Sequence, residues 1–257
     1  MVRRPQLNFL PKGVTVEDRD TRAYIAEFLG TFLLVLFIGF VVSLNSPAGL
    51  GTTDFVQIGV LHFFLLAILV FALGDLSGAH FNPAVTITMA SLKKIKPPDA
   101  AIYIVIQCIG AIAGAFVVKL ILKDEGAGAS YGGVAISEKF LQGALLPGAV
   151  VEAFGTFILV FGIMAAVASR KEPVSWAPLA IGAALALPVL AFAPLTGAGF
   201  NPARALGPDL IGGIIDDIGV GNFLVAFILA PIVGALSAGW LYEYLLGDVG
   251  RPVDKLP

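Results

Sequence analysis

The sequence predicts an all-α membrane protein with six transmembrane helices and two re-entrant half-helices in an inverted repeat. Three observations support this fold class. The mean hydropathy of the 257 residues is +0.92 and only 13% of them are charged, about half the charged fraction of an average soluble domain. Several apolar stretches are long enough to cross a bilayer. The tripeptide Asn-Pro-Ala occurs twice inside apolar sequence, at residues 82–84 and 201–203.

The six long apolar stretches match the length of a membrane-spanning helix, which needs about 20 apolar residues. They lie near residues 23–44, 55–75, 99–122, 143–168, 176–194 and 221–246. Residues 1–21 are polar and lack an apolar segment before a cleavage site, so we interpret them as a retained cytoplasmic tail rather than a signal peptide. Residues 247–257 form the second predicted cytoplasmic tail.

Each Asn-Pro-Ala tripeptide predicts the start of a short helix, because Asn is a favourable N-cap and Pro fits the first helical turn. The two helices, over about 82–92 and 201–212, would each cover roughly 15 Å, half of the hydrocarbon core. Neither can span the bilayer alone, but two meeting end to end complete one span. Irregular backbone at that depth is tolerated only where it lines a cavity or is buried in protein.

The chain also contains an internal repeat. AEFLGTFLLVLF at 26–37 is similar to VEAFGTFILVFG at 151–162, and SGAHFNPAV at 77–85 is similar to TGAGFNPAR at 196–204. Each copy has three full spans, so the second copy must enter the membrane from the opposite side, as in proteins with a site near the midplane. Most of the 16 Lys and Arg residues then fall on one side, which predicts that both termini are cytoplasmic.

These motifs resemble the major intrinsic protein family, the aquaporins and aquaglyceroporins. The resemblance covers residues 22–246 as one channel domain, with repeats at 22–125 and 143–246, and includes the motif Asn-Pro-Ala-Arg-x-x-Gly-Pro at 201–208. It implies a passive channel for water and small neutral solutes, embedded in membrane lipid, that excludes ions and protons. It also implies no cofactor, no metal and a homotetramer in which each protomer has its own pore.

The physical argument for a pore rests on the two half-helices. N-termini that face each other at the midplane create a positive field that opposes cations and protons, as described for aquaporin-type pores. The two Asn amides can donate to passing water, although both could also serve only as helix caps. The predicted pore residues are Asn82, Pro83, Ala84, Asn201, Pro202 and Ala203.

An outer constriction is also expected. Arg204 lies three residues after Asn201, on the same face of the half-helix, and a buried arginine in a membrane is costly and usually functional. The resemblance places the other positions 20 residues before the first Asn, and 12 and three before the second. The resulting filter is His62, Val189, Ala198 and Arg204. The alternatives are an ion pair or a lipid headgroup contact for Arg204, and a hydrogen bond from His62 to a neighbouring helix.

This filter differs from the commonest patterns of the family. Water-selective members commonly carry Phe on the second helix and His on the fifth, and glycerol channels carry Asp directly after the Arg, where this chain has Ala205. His62 with aliphatic partners resembles the plant tonoplast members, which the resemblance links to ammonia, urea or hydrogen peroxide passage. We therefore expect a wider pore than in strict water channels, with glycerol less favoured.

Two acidic residues lie within the spans. An unpartnered carboxylate there costs a few kcal/mol, so we expect Glu27 and Glu152 to accept N–H bonds from the re-entrant loops. His80 either braces the first loop or lines the pore, and Cys108 is interpreted as a packing residue. The alternative is that the acids couple protons in an inverted-repeat secondary transporter.

Other function classes are disfavoured by composition. Two His and one Cys exclude a disulfide framework and a Cys-rich metal site. A net charge of −2 gives no field for nucleic acid. We find no His/Cys metal cluster, nucleophile–base pair or phosphate-binding Gly loop that would indicate a membrane enzyme.

Overall fold

The computed structural model describes residues 19–45, 55–168 and 176–246, so the predicted tails lie almost entirely outside the described residues. Helices account for most of this part of the chain. The α-helices are α1 (Thr21–Asn45), α2 (Phe55–Ser77), α3 (Pro83–Ser91), α4 (Pro97–Leu122), α5 (Glu138–Leu141), α6 (Leu145–Ala168), α7 (Ala177–Thr196), α8 (Pro202–Gly212), α9 (Ile214–Ile218), α10 (Val220–Phe223) and α11 (Ala230–Leu246).

Six helical stretches among the described residues are long and apolar enough to cross a membrane. Five of them are built on α1, α2, α4, α6 and α7. The sixth, Val220–Leu246, joins α10 and α11 through a π-helical turn at Leu224–Leu229. Large apolar side chains such as Phe64, Phe71 and Leu146 are exposed on the outside, as expected for a surface that faces lipid. The predicted fold class is confirmed, and each predicted span agrees with its helix to within a few residues.

The two short helices begin where the Asn-Pro pairs predict. Asn82 caps α3, and its Oδ1 accepts a hydrogen bond from the backbone N of Ala84 at 2.9 Å. Asn201 caps α8, and its Oδ1 accepts from the backbone N of Ala203 at 3.0 Å and of Arg204 at 3.2 Å. With nine and eleven residues, neither helix is long enough to span a bilayer.

The two repeats interlock. The half-helix α3 of the first repeat packs mainly against α11 of the second, and α8 packs mainly against α4 of the first. Within each repeat the first and last long helices approach closely. Gly110 on α4 faces the carbonyl of Phe28, and Gly234 on α11 faces the carbonyl of Ala153 in the equivalent contact. Small residues at such points allow helix backbones to come close together.

The connection between the repeats, residues 123–142, has its own structure. It begins with a 3₁₀ helix at Lys123–Ala129 and continues through a turn at residues 130–132. Three consecutive residues of this turn have positive φ: 46° at Ser130, 55° at Tyr131 and 96° at Gly132. The backbone N of Ser137 then donates to the carbonyl of Leu195 at 2.8 Å. The connection is therefore attached to the end of α7, where the second re-entrant loop begins.

Candidate pore and selectivity filter

A narrow cavity lies between the two repeats. Four long helices each contribute two side chains one turn apart, and the two re-entrant loops and half-helices supply the rest of its wall. The helix residues are Leu34 and Ile38 on α1, His62 and Leu66 on α2, Leu159 and Ile163 on α6, and Ile181 and Leu185 on α7. The others are Ala79, His80, Phe81, Asn82, Val85, Ala198, Gly199, Asn201 and Arg204. Most of the wall is therefore apolar, with few polar side chains.

Most residues of the cavity wall occupy equivalent positions in the two repeats. Leu66 and Leu185 are related by the same offset of 119 positions that separates Asn82 from Asn201. The pairs of identical residues are Leu34 with Leu159, Ile38 with Ile163, Leu66 with Leu185, Ala79 with Ala198, and Asn82 with Asn201. Three pairs differ in chemistry: His62 with Ile181, His80 with Gly199, and Val85 with Arg204. The two ends of the cavity thus share a backbone frame and differ in polarity.

Both re-entrant loops adopt the same unusual backbone. Two of the three positive-φ positions in each loop carry side chains, for which this region is sparsely populated. The φ angles are 90° at Gly78, 51° at Ala79 and 48° at Phe81, and 79° at Gly197, 52° at Ala198 and 50° at Phe200. Such a conformation persists only when surrounding contacts hold it.

Glu27 supplies several of the hydrogen bonds that hold the first loop in this conformation. Its Oε1 accepts from the backbone N of His80 at 2.8 Å and from Ser77 Oγ at 2.6 Å. Its Oε2 accepts from the backbone N of Phe81 and from Gln107 Nε2, both at 2.7 Å. The carboxylate is fully buried, and each of its oxygens binds one backbone N–H of the loop.

Glu152 makes the equivalent contacts in the second repeat. Its Oε1 accepts from the backbone N of Gly199 at 2.9 Å and from Thr196 Oγ1 at 2.6 Å. Its Oε2 accepts from the backbone N of Phe200 at 2.6 Å. The contact that Gln107 makes to Glu27 has no counterpart here, because the equivalent position on α11 is Pro231.

The Gly of each Glu-x-x-Gly-Thr-Phe motif has a steric role. A Cβ added at Gly30 would collide with the ring of Phe81, and one added at Gly155 would collide with the ring of Phe200. Both rings are almost completely buried. The motif therefore combines a carboxylate that binds the loop backbone with a glycine, three residues later, that makes room for the loop's aromatic side chain.

The two Asn side chains also join the loops to each other. Asn82 Nδ2 donates to the carbonyl of Phe200 at 2.9 Å, and Asn201 Nδ2 donates to the carbonyl of Phe81 at 2.8 Å. An amide nitrogen has two hydrogens, so each Asn keeps one donor beyond this bond. The Asn-Pro pairs predict the caps but not these reciprocal contacts, which place the N-termini of the half-helices against each other.

Three of the four predicted filter residues line the cavity, namely His62, Ala198 and Arg204. Arg204 is 2% exposed as a residue, and its Nη1 donates to the carbonyl of Gly132 at 2.8 Å. No carboxylate of the described residues lies within 4.0 Å of it. His62 Nδ1 lies 2.7 Å from the carbonyl of Ile58, so this bond stays within α2 and does not reach a neighbouring helix.

The fourth residue, Val189, is fully buried in the adjacent hydrophobic core and is not part of the cavity wall. It lies on the same face of α7 as Ile181 and Leu185, one turn beyond them. The structure therefore places Val189 in line with the lining residues of α7 without bringing it to the surface of the cavity.

His80 occupies an intermediate position. It lines the cavity, while its Nδ1 lies 3.1 Å from Thr86 Oγ1 and its ring packs edge-on against Tyr103 at 5.4 Å between centroids. Tyr103 in turn donates to the carbonyl of Ser77 at 2.9 Å. Both roles considered for His80, bracing the loop and lining the pore, are compatible with these contacts.

The sequence analysis did not assign functions to Gln107, Phe81 or Phe200. A polar side chain within an apolar span, as at Gln107, was the available signal for a buried partner. The two Phe residues directly precede both Asn-Pro pairs, and this repetition was the available signal for them. Among the described residues there is no group of three or more His, Cys, Asp or Glu that could hold a metal ion.

The profile of the major intrinsic protein family matches residues 15–242. The chain belongs to this family. It is 33% identical over 247 residues to Aquaporin AqpM of Methanothermobacter marburgensis, an alignment that covers 89% of this chain and 98% of the relative. It is 35% identical over 219 residues to Glycerol uptake facilitator protein-like 6 of Lactiplantibacillus plantarum, which covers 85% and 95%.

A similar solved structure supports the same family assignment. The aquaglyceroporin from Plasmodium falciparum superimposes with a TM-score of 0.73 at 25% identity, covering 88% of this chain and 96% of that one. The protein is therefore a passive, multi-pass transmembrane channel and not an enzyme, as the sequence predicted. Because the relatives include both aquaporins and a glycerol facilitator-like protein, family membership does not determine the solute.

Proposed function

We propose that this family member is a water channel that also passes small neutral solutes and excludes ions and protons. The observation that carries the proposal is the pair of half-helix N-termini joined by reciprocal Asn–carbonyl bonds in a mainly apolar cavity. Each N-terminus contributes about half a positive charge. Water, a neutral molecule that can donate and accept, tolerates this field, whereas a cation or proton is repelled.

Arg204 is the second element of this proposal. Among the described residues it is the only Arg or Lys side chain in the cavity wall, and in the pseudo-symmetric position the wall has Val85. We infer that Arg204 narrows the outer mouth and adds a full positive charge to the field of the half-helices. His62 and Ala198 share the wall with it, and Val189 completes the predicted filter one turn beyond Leu185.

The composition of this filter supports passage of ammonia, urea or hydrogen peroxide besides water. Ala198 is a small residue of the wall, and Val189 lies behind the wall, so neither narrows the cavity as an aromatic side chain would. In a neutral His62 ring the Nδ1–H donates to the carbonyl of Ile58, so Nε2 remains as an acceptor, which suits small solutes with N–H or O–H donors. Glycerol is less favoured because Ala205, not Asp, follows Arg204.

We further infer the arrangement of the chain in the membrane. Residues 22–246 form the channel domain, with repeats at 22–125 and 143–246, and the tails at 1–21 and 247–257 are cytoplasmic. The excess of Lys and Arg on the side of both termini supports this orientation. The exposed apolar surface leaves room for a homotetramer in which each protomer keeps its own cavity.

The competing function is a secondary transporter of a small solute. Stopped-flow light scattering on proteoliposomes separates the two, because a channel gives fluxes with a low temperature dependence and no saturation, whereas a carrier saturates. Saturable, strongly temperature-dependent transport would contradict the channel. A series with urea, hydrogen peroxide and glycerol as osmolytes then determines the order of solutes.

Arg204→Ala tests the filter. Water flux should persist, while the permeability to larger neutral solutes rises and some cation or proton leak appears. The matched control is Lys139→Ala, which removes a positive charge from an exposed position of α5. If Arg204→Ala leaves solute selectivity unchanged, Arg204 is not part of the filter.

A further inference from the structure

Asp209 is a fully buried carboxylate on α8 that the channel function described above does not use. It lies five residues after Arg204 on the same half-helix. Its Oδ1 accepts a hydrogen bond from the backbone N of Val134 at 2.8 Å, and its Oδ2 has no hydrogen-bond partner among the described residues. Burying a carboxylate with only one such bond is costly, so its presence calls for a specific role.

The group that Asp209 holds, the backbone N–H of Val134, lies two residues after the left-handed turn at residues 130–132. Three successive positive φ angles make this turn unfavourable by itself. Its close fit leaves little freedom: a Cβ added at Gly132 would lie 2.7 Å from the Cα of Gly39 on α1. One added at Gly133 would lie 2.8 Å from Asp209 Oδ1. The turn is thus enclosed between α1 and α8.

The same turn holds the filter arginine. Arg204 Nη1 donates to the carbonyl of Gly132 at 2.8 Å, two residues before the N–H that Asp209 accepts. The half-helix α8 therefore binds the segment 132–134 at two points: Arg204 donates to the last residue of the turn, and Asp209 accepts from the residue that lies two positions after it. Val134 also packs against the second re-entrant loop, since a Cβ added at Gly197 would lie 3.1 Å from its Cα.

We propose that Asp209 is a positioning residue for the selectivity filter. It holds the turn in place, and the Gly132 carbonyl of that turn accepts a hydrogen bond from the guanidinium of Arg204. Asp209 thereby fixes the side chain of Arg204. Asp209 is not in the cavity wall, so it acts through this turn and not on the solute. The inference rests on the proposed role of Arg204 in the filter. Without the acceptor of Asp209 the strained turn relaxes, the carbonyl of Gly132 moves, and the side chain of Arg204 is no longer held across the mouth.

The test compares two replacements of nearly equal size. Asp209→Leu removes the acceptor, whereas Asp209→Asn removes the charge and keeps an oxygen that can accept from Val134 N–H. Each purified variant is reconstituted, and water and urea permeabilities are measured by stopped-flow light scattering. Loss of one hydrogen bond shifts a conformational equilibrium by up to about tenfold. We expect the ratio of urea to water permeability to rise several-fold in Asp209→Leu and to stay at the wild-type value in Asp209→Asn.

One control and one additional variant make the result specific. Leu210→Ala alters the neighbouring, exposed residue of α8 and should leave the ratio unchanged. If Asp209→Leu does not assemble, Asp209→Ala removes the same acceptor without adding bulk at the site. An unchanged ratio in the assembled variant that lacks the acceptor, or an equal change in Asp209→Asn, would overturn the proposal, because the hydrogen bond to the turn would then not be the cause.

A double variant separates this proposal from the function on which it rests. If Asp209 acts only through Arg204, adding Asp209→Leu to Arg204→Ala should change the ratio no further. An additive effect would contradict the route through Arg204. If Arg204→Ala itself leaves selectivity unchanged, the proposed filter fails; if it widens selectivity and Asp209→Leu does not, only the positioning role of Asp209 fails.

Discussion

Replacing either buried glutamate with glutamine should destabilise one re-entrant loop by a predictable amount. In the first repeat, Oε1 of Glu27 binds the backbone N of His80 and Oε2 binds the backbone N of Phe81. A glutamine amide has a single oxygen. Whichever way the amide is turned, one backbone N–H of the loop faces an NH₂ group and loses its acceptor.

The expected loss of stability follows from the single backbone N–H that loses its acceptor. A buried N–H left without a partner costs about 1–3 kcal/mol. In a protein of this size, each kcal/mol lowers the melting temperature by roughly 2–4 °C, so we expect Glu27→Gln to melt roughly 2–12 °C below the wild type. Glu152→Gln should give a similar loss, because its two oxygens are shared in the same way between Gly199 and Phe200.

The assay is thermal unfolding of the purified protein in detergent, with Glu125→Gln as a control at an exposed site. If both buried variants melt like the wild type, or if the control loses as much, the proposed hold on the loops is wrong. Permeability adds a second result. If the two glutamates only support the loops of a channel, water flux through assembled Glu27→Gln does not saturate and does not depend on pH, as in the wild type. If the protein is a proton-coupled transporter, wild-type transport depends on pH, and Glu27→Gln abolishes that dependence.

Three further predictions concern steric fit, solute size and thiol chemistry. Gly155→Ala should lower the free energy of unfolding by about 1–3 kcal/mol, because the added methyl group meets the buried ring of Phe200. Thermal melting checks this. The control Gly221→Ala, with no atoms near the added Cβ, should lower the free energy of unfolding far less. His62→Phe places a larger ring in the cavity, so stopped-flow measurements should show urea or ammonia permeability falling about tenfold more than water permeability; equal changes would make His62 a packing residue. Mercurial reagents should leave water permeability unchanged, because Cys108 is half-buried on α4 and outside the cavity wall, whereas Ala198→Cys should become sensitive; block that is lost in Cys108→Ser would contradict this.

The sequence was sufficient to predict the fold, because the signals that define it are local and strong. Continuous apolar stretches of about 20 residues have few structural solutions besides spanning helices. The Asn-Pro pairs gave the first residues of α3 and α8, since a cap and a proline at the first turn act within three positions of each other. The connection at residues 123–142 was treated as a plain loop, so its 3₁₀ helix and left-handed turn were not predicted, and α9 was not predicted either.

The site was less accessible from sequence, because its decisive contacts join residues far apart in the chain. The bond from Asn82 to the carbonyl of Phe200 spans 118 positions, and that from Asp209 to the N–H of Val134 spans 75. No local pattern encodes a partner at that distance. A buried polar residue in an apolar segment shows that a partner exists, as it did for Glu27, but it does not show which backbone group that partner is.

The internal repeat indicates where we expect selectivity to reside. Interlocked half-helices, glutamate-bound loops and reciprocal Asn–carbonyl bonds occur in both halves, so they build a pore with the same frame from either side. A frame of this kind cannot distinguish its two mouths. The distinction comes from the pairs that differ, and the pair with the largest difference sets a charged guanidinium at Arg204 against an aliphatic side chain at Val85. The turn at residues 130–132, which holds that guanidinium, belongs to the connection between the repeats and not to the repeat itself. If Arg204 forms the filter as we propose, selectivity depends on a segment that the symmetry does not duplicate, and we therefore expect substitutions there and at Asp209 to change which solutes pass while leaving the water pathway intact.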